Sequence, residues 1–99
     1  MNIKIHSIHF DADKKLTDFI ENKITKLSQF HDSIIGAEIF LRLEKVQNDD
    51  NKISEIRIDI PGSDLFAKKQ SNTFEAATDA AIDALRKQVT KHKEKQRGK

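Results

Sequence analysis

Basic side chains crowd residues 86–99, and side chains of this type at this density could bind a polyanion. The segment holds seven Lys or Arg and one acidic residue, Glu94, which gives it a net charge of +6. The remaining residues sum to −4, so a chain of net charge +2 has gathered its positive charge at one end. Lysine and arginine neutralise phosphates and release counterions, which supplies affinity without base specificity. We therefore expect a polyanionic partner, with nucleic acid as the first candidate.

An ordinary solvated helix end is the alternative explanation of this charge. Cations complement the negative C-terminal end of a helix, so one or two would need no partner. Seven basic residues exceed that need. Like charges four residues apart also repel each other and so cost the helix stability, as in Lys87 with Lys91 and Lys91 with Lys95. Lys23 and Lys26 of an earlier helix would extend the basic residues if the two helices lie side by side, although exposed lysine is also the default on any helix.

No pattern for catalysis or metal binding accompanies these residues. The chain has no cysteine, which excludes disulfides, thiol catalysis and the usual zinc ribbon. No Walker A, GxSxG or GxGxxG motif occurs. The histidines, His6, His9, His31 and His92, have no ligand spacing, although His92 stands among the lysines and could contact phosphate. We expect no enzymatic activity, no metal and no cofactor.

Hydrophobic periodicity predicts six elements that must position the basic residues. Alternating apolar residues indicate four strands, and apolar residues at three- and four-residue intervals indicate two amphipathic helices. Asp13 is a natural N-cap of the first helix, whose apolar stripe runs from Leu16 to Phe30. Asn72 with Glu75 resembles a capping box for the second helix. The predicted strands are 1–8, 35–46, 53–60 and 64–69, the first helix is 14–31, and turns are predicted at 47–52 and 61–62.

These elements predict an α+β fold of order β-α-β-β-β-α, with a four-stranded sheet and two helices packed on one face. We expect a single domain over residues 1–99, with residues 96–99 as a frayed basic tail. The last helix, at about 25 residues, would be roughly 37 Å long. Its apolar stripe ends at Val89, so we expect its last two turns to project beyond the core. Those turns carry Lys91, Lys93 and Lys95.

Several other protein classes are disfavoured. No apolar run approaches the ~18 residues that a membrane helix needs, and the N-terminus has no signal-peptide core, so we expect a cytoplasmic location. An RNA recognition motif has a different element order and several aromatics on its central strands, whereas only Phe40 is expected on the open sheet face. A regulatory module that recognises an acidic protein partner, such as a transcription factor, is the alternative to nucleic-acid binding.

Four segments of the chain, taken in order, carry a recognisable family pattern. The most specific is AIDAL at 81–85 followed by QVTKHKEK at 88–95, which is similar to the pattern ID.L..QL.KHK.K. Supporting segments are KITKL at 23–27, DSI at 32–34 and LEK at 43–45. Over essentially its whole length the chain resembles the short ribosome hibernation-promoting factors, the family that includes the ribosome-associated inhibitor of translation. An older label of that family is sigma-54 modulation protein.

The resemblance implies the same fold and a specific role. It implies binding to the small ribosomal subunit and its ribosomal RNA at the decoding region, in the channel used by messenger RNA and tRNA. Occupying that channel blocks translation and preserves idle ribosomes during stationary phase or stress. We expect neither a membrane partner nor a small-molecule substrate. The RNA-binding residues expected from the charge and the resemblance together are Lys23, Lys26, Arg86, Lys87, Lys91, His92, Lys93 and Lys95.

The chain departs from the family pattern at several positions. Ala84 stands where relatives often have a basic residue, and Arg86 adds a charge two residues later. Thr73-Phe74-Glu75 replaces an acid-Met-Tyr opening of the last helix. Longer relatives carry a C-terminal domain that dimerises ribosomes, and we expect this chain to lack it.

Overall fold

Six elements follow one another in the predicted order β-α-β-β-β-α. The computed structural model describes residues 1–45 and 49–97, and side chains as far as Glu94. The predicted α+β class and element order are confirmed. The elements are β1 (Asn2–Ile8), α1 (Lys14–Phe30), β2 (Gly36–Leu43), β3 (Lys52–Ile60), β4 (Ser63–Ser71) and α2 (Phe74–Arg97).

The sheet has the strand order β1-β2-β3-β4, which determines where α1 lies. β1 and β2 pair in parallel, so the chain must cross over the sheet between them, and α1 makes that crossing. β2, β3 and β4 form antiparallel pairs. The turn predicted at 61–62 is confirmed between the paired residues Ile60 and Ser63. Gly62 supplies the positive φ of 79° that this turn needs.

The two helices cover one face of the sheet, as predicted, and the core lies between them and that face. Alternate residues of β2 and β3 point into it, and each helix contributes its apolar stripe. Burial of these side chains is the main favourable term that holds the helices in place. The fully buried aliphatic side chains of this core are Ile20, Ile24, Leu27, Ile39, Leu41, Ile56, Ile58 and Leu85.

The opposite face of the sheet is open and is crossed by polar pairs. Glu38 accepts a hydrogen bond from Arg57 at 2.7 Å and lies 2.8 Å from Nε2 of His6. The His6 ring stacks on Phe40 with 4.8 Å between ring centres. Phe40 is not the single aromatic of this face, because half-exposed Phe66 lies opposite Arg57 in the β3–β4 register. The expectation of one aromatic here was therefore wrong.

Most differences between the predicted and the observed structure lie at the ends of the helices and strands. Asp13 caps α1 as predicted, since its Oδ1 accepts the backbone N–H of Leu16 at 2.9 Å. Phe30, predicted in the apolar stripe of α1, is 66% exposed because the helix ends there. Leu43 continues the alternation of inward residues in β2 but is 44% exposed, because it is the last residue of that strand. β2 therefore ends before its predicted end at 46, and residues 46–48 lie outside the described residues.

The N-cap of α2 is Thr73 rather than the predicted Asn72. Oγ1 of Thr73 accepts the backbone N–H of Ala76 at 3.0 Å, and its carbonyl accepts the N–H of Ala77. Both residue types are good caps, and the helix begins one residue later than the capping-box pattern predicted. α2 includes residues 96 and 97, whereas 98 and 99 lie outside the described residues, so the frayed tail at 96–99 stays a prediction.

Neither helix of 1–45 and 49–97 is long and apolar enough to cross a membrane. In the same residues, no three His, Asp or Glu side chains are grouped so as to hold a metal ion.

Candidate nucleic-acid interface

α1 and α2 lie side by side, and a groove runs between them. Lys23 and Lys26 of α1 line it from one side, and Arg86 of α2 lines it from the other. The helices therefore lie side by side, which is the arrangement in which Lys23 and Lys26 extend the basic residues of α2. Asp79 and Asp83 of α2 also line this groove, so its charge is mixed.

One of these lysines is already engaged in the folded protein. Nζ of Lys23 lies 3.0 Å from Oδ1 of Asp79 and 5.3 Å from the centre of the Phe19 ring. The ion pair connects α1 to α2, the ring contact lies within α1, and together they hold the ammonium group at the wall of the groove. Lys26 and Arg86, in contrast, form no salt bridge with any described residue, so their charges are available to a ligand.

Arg86 joins the groove to the rest of the positive charge on α2. It lines the groove and also a shallow depression on the outer side of α2 with Lys87 and Lys91. The only acid in that depression is Glu94. The positive side chains therefore form a continuous path from α1 over Arg86 to the outer surface of α2.

The basic residues continue on the next turn of α2. Lys91 and His92 border β4 near Leu65, where the amide of Gln88 donates to the Phe66 carbonyl at 2.9 Å and holds α2 against the strand. Val89 is the last apolar residue of α2 that is buried in the described part of the chain.

The residues from Thr90 to Glu94 are exposed or half-exposed, so their basic side chains stand beyond the core, as predicted. The backbone of Lys95 belongs to α2, but its side chain lies outside the described residues. We call the described lysine and arginine side chains of this path, together with His92, the basic surface: Lys23, Lys26, Arg86, Lys87, Lys91, His92 and Lys93.

A pocket at the end of α1 contains a residue that the sequence interpretation did not assign to the interface. His31 is 8% exposed, and its Nδ1 has no hydrogen-bond partner in the part of the chain that the structure describes. Burial lowers the pKa of His31, and the positive charges of Lys93 and then Arg86 lower it further, against the opposing effect of Asp32. These effects favour the neutral form of the ring. His31 follows buried Leu27 by four residues, a helical spacing that could have indicated its burial.

The arrangement of these side chains suits phosphate binding. Lysine and arginine bind phosphate oxygens, and Arg can do so through two parallel hydrogen bonds. The interspersed acids, Asp79, Asp83 and Glu94, disfavour indiscriminate binding because they repel phosphates placed in the wrong register. The expected RNA-binding roles of the individual residues stay predictions.

Known proteins resemble this chain over almost its entire length. A family model described as Sigma 54 modulation protein / S30EA ribosomal protein matches residues 3–97. A ribosome hibernation promoting factor of Klebsiella oxytoca is 34% identical over 95 residues, which covers 96% of this chain and 94% of the relative. The protein of the same name from Pseudomonas putida is 31% identical over 96 residues, covering 97% of this chain and 90% of the relative.

Solved structures agree with the fold. The N-terminal domain of Protein Y from Thermus thermophilus superposes with a TM-score of 0.80 at 27% identity, covering 93% of this chain and 99% of that domain. A ribosomal subunit interface protein from Coxiella burnetii superposes with a TM-score of 0.83 at 24% identity, covering 94% of this chain and 98% of that protein. The Coxiella likeness supports the fold alone.

Proposed function

Because the chain belongs to the Sigma 54 modulation protein / S30EA ribosomal protein family, we propose that it is a ribosome-binding hibernation factor that inhibits translation. The names of its relatives from Klebsiella, Pseudomonas and Escherichia coli support this assignment. A ribosomal partner also implies a cytoplasmic place of action. The observation that carries the proposal is the continuous basic surface along α1 and α2.

The proposed site is the decoding channel of the small ribosomal subunit, and the proposed contacts are with ribosomal RNA phosphates. The basic surface would provide affinity without reading the base sequence, because lysine and arginine contact the backbone. Beyond Val89, α2 continues as far as Arg97 and would place its charges farther into an RNA-lined cleft than the sheet can reach. Inhibition is then steric, because the protein occupies the path of messenger RNA and tRNA and needs no chemical step.

Charge reversal on α2 tests the proposal. The variant Lys87→Glu, Lys91→Glu, Lys93→Glu changes three exposed residues that are not part of the hydrophobic core, so it should fold normally. We expect it to lose co-sedimentation with purified small subunits. Each phosphate contact contributes about 0.7–0.9 to the slope of log affinity against log salt, so any residual binding should have a slope smaller by about 2–3.

A second triple variant separates local contacts from net charge. Lys4→Glu, Lys45→Glu, Lys68→Glu alters three exposed lysines outside the basic surface and produces the same net charge. It should retain most ribosome binding. If the α2 variant still pellets with small subunits, or if both variants lose binding equally, the basic surface is not the interface.

Nuclease treatment distinguishes binding to ribosomal RNA from the alternative, which is a regulatory module that binds an acidic protein. Ribosome binding should be lost after digestion of the ribosomal RNA with nuclease. Capture of a protein partner that is insensitive to nuclease and lacks ribosomal RNA would favour the alternative.

A further inference from the structure

A small pocket lies where the end of α1 meets the last turns of α2. Its volume is about 150 Å³, and it is enclosed more than the neighbouring depressions of the basic surface. The chain segment after α1 forms one wall, and α2 forms the other. The lining residues are His31, Asp32, Ser33, Val89, His92 and Lys93.

The imidazole of His31 is unusual in this pocket. The side chain is more than nine-tenths buried, and Nδ1, which is itself buried, has no hydrogen-bond partner among the described residues. A buried polar atom without a hydrogen bond costs free energy, and such atoms are rare in folded proteins. The backbone of the same residue is held firmly, since its N–H donates to the Ser28 carbonyl at 3.2 Å. The ring is therefore fixed in a place where the protein alone does not use its hydrogen-bonding capacity.

The surroundings of the ring select the kind of ligand. Lys93 and His92 of α2 line the same pocket, and Arg86 is close enough to act on the imidazole electrostatically. Ser33 adds a hydroxyl, and Asp32 is the only acid of the lining. Donors and positive charge thus outnumber acceptors, which suits a compact anion with several acceptor oxygens.

We propose that this pocket binds one phosphate group of the RNA backbone, with Lys93 as the counter-charge, with His92 and Ser33 as hydrogen-bond donors, and with the imidazole of His31 as an adjoining group that becomes positively charged when the phosphate binds. The proposal rests on the proposed function, because ribosomal RNA is the source of the phosphate. It adds to the exposed basic surface a partly enclosed site that fixes the register of α2 on the RNA.

Binding in this pocket should be coupled to protonation of His31. The groups that act on the ring are Lys93 and Arg86 from α2 and Asp32 from the segment after α1, with His92 lining the same pocket. In the unliganded protein, burial and the two cations keep the pKa of His31 below its usual value. A phosphate in the pocket opposes those cations and favours the positively charged imidazolium. The complex therefore takes up a proton.

The test compares the pH dependence of binding for the wild-type protein and His31→Phe. Affinity for purified small subunits is measured from about pH 6 to about pH 8 at constant ionic strength. Uptake of one proton makes the wild-type affinity fall by up to about tenfold per pH unit between the pKa values of the unliganded and bound states. His31→Phe retains an aromatic ring but cannot take up a proton, so its profile should be flatter and its affinity lower at the acidic end.

His6→Phe is the matched control, because His6 lies on the open face of the sheet. It should show the wild-type pH profile. If His31→Phe does not fold, as judged by circular dichroism, His31→Gln replaces it. Identical pH profiles for the wild-type protein and the His31 variant would overturn the phosphate site, while ribosome binding by both would leave the proposed function standing.

Nuclear magnetic resonance gives an independent arm that needs no ribosome. The ring signals of His31 are titrated with pH alone, with inorganic phosphate and with a short oligouridine strand. We expect oligouridine to raise the pKa of His31 at lower concentration than inorganic phosphate. An effect of inorganic phosphate alone would assign the pocket to free phosphate and overturn the RNA source, and no effect of either probe would overturn the site.

Discussion

The guanidinium carbon of Arg86 lies 5.5 Å from the centre of the Phe30 ring. This contact connects the end of α1 to the part of α2 where the basic surface begins. Phe30 is 66% exposed, so it adds little to the core, and its ring instead provides a face on which the guanidinium can lie. The pair thus holds Arg86 between the groove and the outer side of α2.

Removing the Phe30 ring should weaken binding more than folding. An exposed cation–π contact contributes about 0.5–1 kcal/mol, so Phe30→Ala should lower the free energy of unfolding by no more than about 1 kcal/mol. Ribosome affinity should fall by about two- to fivefold, because Arg86 must then be ordered by the RNA at a cost in side-chain entropy. Phe30→Tyr keeps the ring and should bind normally. Equal affinity of the Ala and Tyr variants would contradict this role.

Neutralising Asp79 should strengthen ribosome binding. Asp79 pairs with Lys23 and lines the groove, so Asp79→Asn frees one ammonium group and removes one repulsive carboxylate. Exposed ion pairs contribute about 0–1 kcal/mol, so stability should change little. We expect a severalfold gain in affinity at low salt that shrinks near 1 M salt, where the screening length is about 3 Å.

Asp18→Asn provides the control for that gain. Asp18 also pairs with a lysine, Lys14, at 2.8 Å and lies outside the basic surface, so the variant changes net charge by the same amount. Equal affinity gains for the Asp18 and Asp79 variants would show that net charge, not the groove, governs binding.

A buried hydrogen bond between α2 and β3 should contribute measurably to stability. The hydroxyl of Thr78 donates to Oγ of Ser54 at 3.2 Å, and both side chains are fully buried. Thr78→Val keeps the shape but leaves Ser54 unpaired, which should cost about 1–3 kcal/mol in urea unfolding. Adding Ser54→Ala should recover part of that loss. Strict additivity of the two single changes would contradict an interaction between the hydroxyls.

Stability should fall in mildly acidic solution because of His31. Its pKa in the folded protein is lowered by burial, then by Lys93 and Arg86, whereas the unfolded chain has the ordinary value near 6.5. Protons therefore bind the unfolded chain more readily than the folded protein. The contribution of neutral His31 to stability is complete above the pKa of His31 in the unfolded chain, and it is lost as pH falls through the lower pKa of His31 in the folded protein. Thermal unfolding of His31→Phe should lack this part of the pH dependence; a parallel curve for the variant would contradict it.

The sequence predicted the elements better than their ends. Strong periodicity in α1 and α2 and alternation in β2 and β3 determine which side chains are buried, so the core agrees with expectation. The cap at Thr73 could not be distinguished from one at Asn72, because both side chains can accept the same kind of hydrogen bond. Phe30 continues the apolar spacing of α1, but periodicity does not reveal where the covering elements end.

The candidate site was predictable as a set of charges but not as an arrangement. The spacing of basic residues on α2 is visible in the sequence, whereas the pairing of Lys23 with Asp79 joins residues from different helices. His31 was noted only as one of four histidines, because no local pattern shows that Lys93 and Arg86 act on it. Long-range contacts of this kind depend on the packing of α1 against α2.

The separation of charge between residues 86–99 and the rest of the chain affects the rate at which the protein associates with RNA. With +6 in that segment and −4 elsewhere, the charge along the chain is strongly asymmetric although the net charge is only +2. The field of a polyanion exerts a torque on such a molecule and turns its cationic end inward before contact. Diffusive encounters with RNA are thereby biased toward one orientation, which spreading the same net charge evenly would not achieve.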